Sequence, residues 1–339
     1  ITGGKAPDYI GGVYMTNASQ FEMNSGSITG NEVSDAYKND GYLQYSADLW
    51  IGANAKGAMT AINGGKVGSI FVNANEFSAT NPGSFKMNKG NVDNIYVEYD
   101  KGYGATFTYN GGTLNNLYIS TVKENGDKDK VKIDHPLPGM TYTGGKTSAD
   151  EIAPVASVGS VEYGSLQAAV NAANDGDTVT LLKDIKLNGL CSINKNITLD
   201  LCNKILSGNG SILDIYGDVT IKNGNIKIPS SKTETGAVWV NKTAKLTVEN
   251  SVTIDVPDNS FAIGYWSDCT TAEVNFKGSI TGGNGITMNG EITNINTNNI
   301  LTLDGAKINV KGHGVYQAGY SKTSFSATNS EIHGVTGIE

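Results

Sequence analysis

The chain has 339 residues, of which 38% are hydrophobic and 17% charged, with 43 glycines and only 7 prolines. These proportions exclude a collagen-like or intrinsically disordered chain, and the length suggests about two domains. The net charge is −8 without a basic cluster, which argues against a nucleic-acid partner. No apolar run approaches the ~18 residues of a membrane-spanning helix, and the start at Ile1, without initiator methionine or signal peptide, predicts a mature or trimmed fragment.

A fourfold repeat runs through the first half of the chain. Each copy has an asparagine two residues before a glycine, with apolar residues on both sides. The asparagines are Asn24, Asn63, Asn88 and Asn110, and the glycines are Gly26, Gly65, Gly90 and Gly112. Because glycine accepts positive φ values, each copy predicts a tight turn between two short strands.

The spacing between the first two repeats is longer than the others by about half a coil. This excess includes residues 31–50, with Tyr37, Tyr42, Tyr45 and Trp50. Functional residues concentrate on such insertions, so these rings are candidate ligand contacts. The alternative is that they pack against the repeats.

A division into two units is predicted near the middle of the chain. We expect a first unit over 1–142, a linker over 143–157 and a second unit over 158–339. A charged turn near Asn125 would close the first unit. An amphipathic helix is predicted over 165–174, capped by Ser165. A lone helix before a repeat array is best explained as an end cap that covers the first coil.

The second half repeats with a period in the twenties and without further helices. Pairs of alternating apolar residues precede a turn position that is occupied by asparagine or glycine: Asn203, Asn223, Asn250, Gly278, Gly305 and Asn329. A second series predicts a buried column: Val238, Ile263, Ile286 and Val315. Period-two strands at this spacing indicate an all-β, right-handed parallel β-helix. Since Gly337-Ile338 repeats Gly314-Val315, we expect a further coil beyond Glu339.

Three segments of the second half carry a family resemblance. Residues 155–170, 175–184 and 197–201 resemble the opening of β-helical repeat domains in large surface proteins of Firmicutes. Residues 11–31 are similar to repeats of the same class. The resemblance implies a pectin-lyase-like β-helix on an exported protein, located outside the cell or on the bacterial surface. It implies no single activity, because the superfamily includes lyases, hydrolases, adhesins and passive stalks.

The alternative function is a polysaccharide lyase or glycoside hydrolase that acts on pectin-like or host glycans. The resembled lyases use an arginine as catalytic base, and this chain contains no arginine. Gly312-His313-Gly314 matches one element of the resembled hydrolases, but their paired aspartates have no counterpart. We therefore predict no catalytic residue, metal or cofactor. Cys191, Cys202 and Cys269 have no zinc-like spacing and are expected to be buried or turn thiols.

The favoured function is an adhesin, binding module or stalk. Aromatic residues lie in or beside an outward column of the second half: Trp239, Tyr265, Trp266, Tyr316 and Tyr320. Exposed rings stack on sugars, so host or dietary glycans, or surface proteins, are the expected partners. The alternative is that these rings cover junctions between coils.

Overall fold

The structure, a computed structural model, describes residues 1–5, 11–15, 20–33, 48–52, 60–74, 82–100, 102–122, 128–145, 153–230, 235–288, 297–317 and 322–338. About 62% of the described residues are in strands and 3% are in a helix. The strands form a parallel β-solenoid of about 10 turns, which confirms the predicted all-β parallel β-helix. The chain divides into two compact units, Ile1–Ala153 and Pro154–Glu339, so the division lies inside the predicted linker.

The first unit is built from short strands that are joined by tight turns. Its described strands are β1 (Val13–Met15), β2 (Phe21–Met23), β3 (Ser27–Ile28), β4 (Leu49–Ile51), β5 (Thr60–Ile62), β6 (Lys66–Val72), β7 (Ser84–Met87), β8 (Asn91–Val97), β9 (Tyr99–Asp100), β10 (Tyr103–Gly104), β11 (Thr106–Tyr109), β12 (Thr113–Val122), β13 (Lys128–Ile133) and β14 (Met140–Thr143). Parallel pairing runs β1-β4-β6-β8-β12 in one sheet, where β3 also pairs with β6, and β2-β5-β7-β11 in the other. Each strand therefore pairs with its counterpart one coil away.

The repeated Asn-x-Gly turns stack on one another. The amide Nδ2 of Asn63, Asn88 and Asn110 each donates to Oδ1 of the preceding asparagine, at 3.0, 2.8 and 2.7 Å. The glycines of the four turns all have positive φ, between 84° and 99°. The sequence repeat thus marks the corner where each coil passes from one sheet to the other.

Antiparallel strands end the first unit. The last parallel strands, β12 and β11, pair with β13 and β14 respectively. Val122 pairs with Lys128 across the predicted charged turn, whose residues 123–127 lie outside the described part. These antiparallel strands therefore cover the edge of the last parallel strand in each sheet.

The second unit has nineteen described strands and one described helix. The strands are β15 (Ala156–Val158), β16 (Val161–Tyr163), β17 (Thr178–Leu181), β18 (Ile185–Leu187), β19 (Cys191–Ile193), β20 (Ile197–Gly208), β21 (Leu213–Ile215), β22 (Asp218–Lys227), β23 (Thr235–Val240), β24 (Lys245–Val248), β25 (Val252–Tyr265), β26 (Glu273–Phe276), β27 (Ser279–Thr287), β28 (Asn299–Asp304), β29 (Lys307–Val310), β30 (His313–Tyr316), β31 (Thr323–Thr328), β32 (Glu331–His333) and β33 (Thr336–Ile338). The helix α1 spans Leu166–Ala172.

The helix caps the start of this unit, as predicted. The backbone N–H of Ala168 donates to Oγ of Ser165, which is the N-cap residue. Leu166, Ala169 and Val170 are buried and join the apolar core of the coils. Strand β15 pairs antiparallel with β17, so the first coil has its core covered by α1 and one strand edge covered by β15.

Three apolar columns fill the second unit, one for each face of the coil. In register they are Val179, Leu199, Ile221, Val248, Phe276, Leu303 and Ala327; Ile185, Leu206, Ile226, Ile254, Ile280, Ile308 and Ile332; and Cys191, Leu213, Val238, Ile263, Ile286, Val315 and Ile338. The four residues of the predicted column lie consecutively in the third series and are buried. This result confirms the coil register that was predicted from the sequence.

The turn positions of this unit follow the prediction only in part. Asn203, Asn223, Gly305 and Asn329 have positive φ, between 52° and 70°. Asn250 and Gly278 do not have positive φ, so the prediction was wrong there. The reason at Gly278 is steric: a Cβ would lie 2.5 Å from the carbonyl oxygen of Val252, so glycine is needed for close approach between coils.

Candidate functional site

Trp50 belongs to an aromatic stack in the first unit. Its ring centroid lies 4.4 Å from that of Phe71, which lies 5.3 Å from that of Tyr96. Tyr14 continues the stack on the other side at 5.7 Å. Only 7% of Trp50 is exposed, so in this structure the ring packs between coils and has little surface for a ligand.

Four of the predicted contact residues cannot be placed. Tyr37, Tyr42, Tyr45 and Tyr320 lie outside the described residues. Their assignment as ligand contacts remains a prediction.

Tyr265 lies in the interior of the second unit. It is 1% exposed, and its hydroxyl donates to the carbonyl oxygen of Ile300 at 2.6 Å. Burial raises the pKa of this hydroxyl well above its usual range. Tyr265 was selected as a candidate ligand contact because it lies beside the outward column in sequence, but two residues after the buried Ile263 strand alternation turns its side chain inward.

Tyr316 is half-buried and packs against a histidine. Its ring centroid lies 4.9 Å from that of His313, whose backbone N–H donates to Oδ1 of Asn284 at 3.0 Å. His313 is thus a packed residue of the coil surface. Among the described residues, no group of three His, Cys, Asp or Glu side chains could hold a metal ion.

Trp239 lies across the backbone of its neighbouring coil. It pairs in register with Gly264, where a Cβ would come 2.3 Å from the indole ring. Its Nε1 donates to Oγ of Ser211 at 3.0 Å, and that hydroxyl lies 2.7 Å from the hydroxyl of Thr235. These contacts hold the indole ring of Trp239 in one orientation and leave it half-buried. The glycine is required by the ring, because any side chain there would occupy its place.

Trp266 is the exposed member of a tryptophan pair. Its ring meets Trp239 edge to face, with the centroids 4.9 Å apart and the planes at 85°. The side chain remains 48% exposed. A large ring is therefore held by a second ring that is itself fixed to the coil, while much of it stays open to solvent.

Tyr216 lies on the same outer face, although the sequence analysis did not select it. It is 38% exposed. The backbone N–H of Asn241 donates to the carbonyl oxygen of Ile215, and that of Trp266 donates to the carbonyl oxygen of Val240. Tyr216, Asn241 and Trp266 therefore occupy the same position in successive coils. At about 4.8 Å per coil, Tyr216 and Trp266 are about 10 Å apart along the stack. The coil register could have identified this ring. We call Tyr216, Trp239 and Trp266 the ring patch.

Charged groups surround the Tyr216 end of the ring patch. Nζ of Lys242 lies 5.9 Å from the centroid of the Tyr216 ring. Burial raises the pKa of the half-buried Asp214 carboxyl, an effect opposed by a hydrogen bond from Asn241 and strengthened by the Asp268 charge. Oδ1 of Asp268 accepts the backbone N–H of Lys242 at 3.2 Å. Burial and these two carboxylates also raise the pKa of Tyr216.

Comparison with known proteins finds no matching family model, no matching curated protein and no matching solved structure. No helix among the described residues is long and apolar enough to cross a membrane.

Proposed function

We propose that this chain is a non-catalytic binding module and that the ring patch of its second unit binds glycans. The observation that carries the proposal is Trp266, a tryptophan that is 48% exposed yet supported edge-on by a second tryptophan. A ring that only filled a coil junction would be covered, as Trp50 is in the first unit.

Stacking on sugars suits this arrangement of rings. A sugar presents a face of C–H groups that packs on an aromatic face and buries apolar area. Because the support of Trp239 restricts Trp266 before binding, less side-chain entropy is lost when a ligand docks. Tyr216, about 10 Å away along the stack, offers a second contact for an extended oligosaccharide. Each contact contributes roughly 1 kcal/mol, so several together are needed for useful affinity.

The proposed biological setting rests on the sequence resemblance alone. Similarity to pectin-lyase-like β-helices of Firmicutes surface proteins supports an exported adhesin or extension module. In that setting the ligands would be host or dietary glycans.

A glycan array with single-ring variants tests the proposal. We expect Trp266→Ala to remove most of the signal and Tyr216→Ala to weaken it, because each removes a stacking surface. Tyr103→Ala is the matched control: Tyr103 is similarly exposed but lies in the first unit, so its loss should leave binding intact. Equal binding by all four proteins would exclude the ring patch as the site. No binding to any glycan would favour a passive stalk.

A further inference from the structure

We propose that the ring patch prefers glycans that carry a protonated amino group. This inference rests on the proposed function, since it names the class of sugar that the same surface takes. Three observations support it: an ammonium group on the Tyr216 ring, two carboxylates beside that ring, and the balance of charge among these groups.

The first observation is that the protein places a cation on this ring. Nζ of Lys242 lies 5.9 Å from the Tyr216 centroid, within the range of a cation–π interaction. Lys242 is exposed, so its side chain can move aside at little cost. An amino group of a bound sugar can then take the place that the lysine ammonium occupies.

The second observation concerns carboxylates near the same ring. Asp214 and Tyr216 flank the buried Ile215, so strand alternation directs both toward the outside of the coil. Asp268 is held at the turn by the backbone N–H of Lys242. Burial raises the pKa of the Tyr216 hydroxyl, and the charges of both carboxylates act in the same direction.

The third observation is the balance of these charges. Asp214 and Asp268 give two negative charges against the single positive charge of Lys242. A uronic or other acidic sugar would therefore be repelled, whereas an ammonium group would be attracted to the carboxylates and to the ring face. A neutral sugar would gain only the stacking contact.

The test compares two oligosaccharides that differ only at the amino group. Binding of β-1,4-linked glucosamine hexamer and N-acetylglucosamine hexamer to the full chain is measured by calorimetry at mildly acidic pH and low ionic strength, with galacturonic acid hexamer as the anionic probe. We expect the glucosamine hexamer to bind roughly three- to fivefold tighter than the acetylated one, and the acidic hexamer to bind weakest. Added salt should reduce this preference.

Charge variants show whether the named groups cause the preference. Asp214→Asn and Asp268→Asn should each reduce it, while Lys242→Gln should increase it by removing the competing ammonium. Asp304→Asn, which neutralises an exposed carboxylate on another coil, is the matched control and should change nothing.

Two outcomes would overturn the inference about amino sugars, and neither of them by itself rejects the proposed glycan-binding function. Equal affinity for both hexamers, lost in Trp266→Ala, would retain the ring patch as a glycan site without an amine preference. No binding of any hexamer would also reject the inference, and the proposed function would then be decided by the glycan array.

Discussion

Two of the three thiols lie where burial keeps them protonated. Cys191 is the first residue of the third apolar column, and Sγ of Cys269 donates to the carbonyl oxygen of Val240 at 2.9 Å. Burial raises the pKa of each thiol to about 12. Cys202 is exposed at a bend inside β20, where its φ is 48° and the pairing with β22 shifts register. The expectation of buried or turn thiols is confirmed for Cys191 and Cys269, which are buried.

These thiols predict a loss of stability at alkaline pH. An unfolded thiol ionises near 9.0, but Cys191 and Cys269 stay protonated in the folded chain up to about 12. Their contribution to the free energy of unfolding is therefore complete below pH 9 and is lost as the pH rises toward 12. The free energy of unfolding, measured by urea titration across this range, should fall less steeply in a Cys191→Ala, Cys269→Ala double variant. Parallel curves for both proteins would contradict the assigned pKa values.

Tyr265 and Trp50 show what strand alternation predicts about a side chain and what it does not. Counting by two from Ile263 places Tyr265 inside, so its position was available from the sequence. Trp50 lies between the inward Leu49 and Ile51 and therefore points outward, yet it is covered. The direction in which a side chain points follows from the period of the strand. Whether an outward side chain is exposed depends on contacts between distant segments, which a single sequence does not specify.

The turns are the elements that align adjacent coils. In the first unit each Asn-x-Gly turn stacks on the turn before it through an amide hydrogen bond. A Cβ on Gly90, whose φ is 94°, would lie 2.8 Å from the carbonyl oxygen of Gly65. Glycine is thus needed twice at this position, for its backbone angle and for the closeness of the adjacent coil. The turn positions could be predicted from the sequence because every coil requires the same asparagine and glycine at its turn.

A pair of glycine substitutions separates these two requirements. Gly102 has a similar φ of 87° but no atom within 4 Å of its Cβ position. Gly102→Ala should therefore cost only the backbone strain, roughly 1–2 kcal/mol. Gly90→Ala should cost more, because the new methyl group also meets the neighbouring turn. Thermal and urea unfolding of both variants measure the difference, and equal destabilisation would mean that turn stacking does not constrain this position.

At the scale of the whole molecule, each unit has its own core and its own end structure. The first unit ends in the antiparallel strands β13 and β14, and the second begins with α1 and β15. Among the residues that the structure describes, the two apolar clusters have no member in common. The lone amphipathic helix in the sequence gave the signal for this division. The capping role of β14 had no such signal, because proline and glycine at 136–139 and 144–145 flank this short strand and are typical of loops.

Independent cores predict independent folding of the second unit. A fragment of residues 154–339 should show the β-type circular dichroism of a folded chain and a cooperative urea transition. In that fragment Ser165→Ala should lower the free energy of unfolding by about 1 kcal/mol through loss of the helix cap, whereas Ser165→Asn should retain it. A fragment that is unfolded while the full chain is folded would show that the division is wrong.

The most direct measurement of the central claim, a surface that binds glycans without cleaving them, combines binding and product analysis on one sample. The full chain is titrated with pectic and host-type oligosaccharides, and the same mixtures are examined by mass spectrometry after prolonged incubation. We predict saturable binding that depends on Trp266, with every oligosaccharide recovered at its original length. Shortened or unsaturated products that increase with time and protein concentration would contradict the account and identify the chain as a hydrolase or lyase.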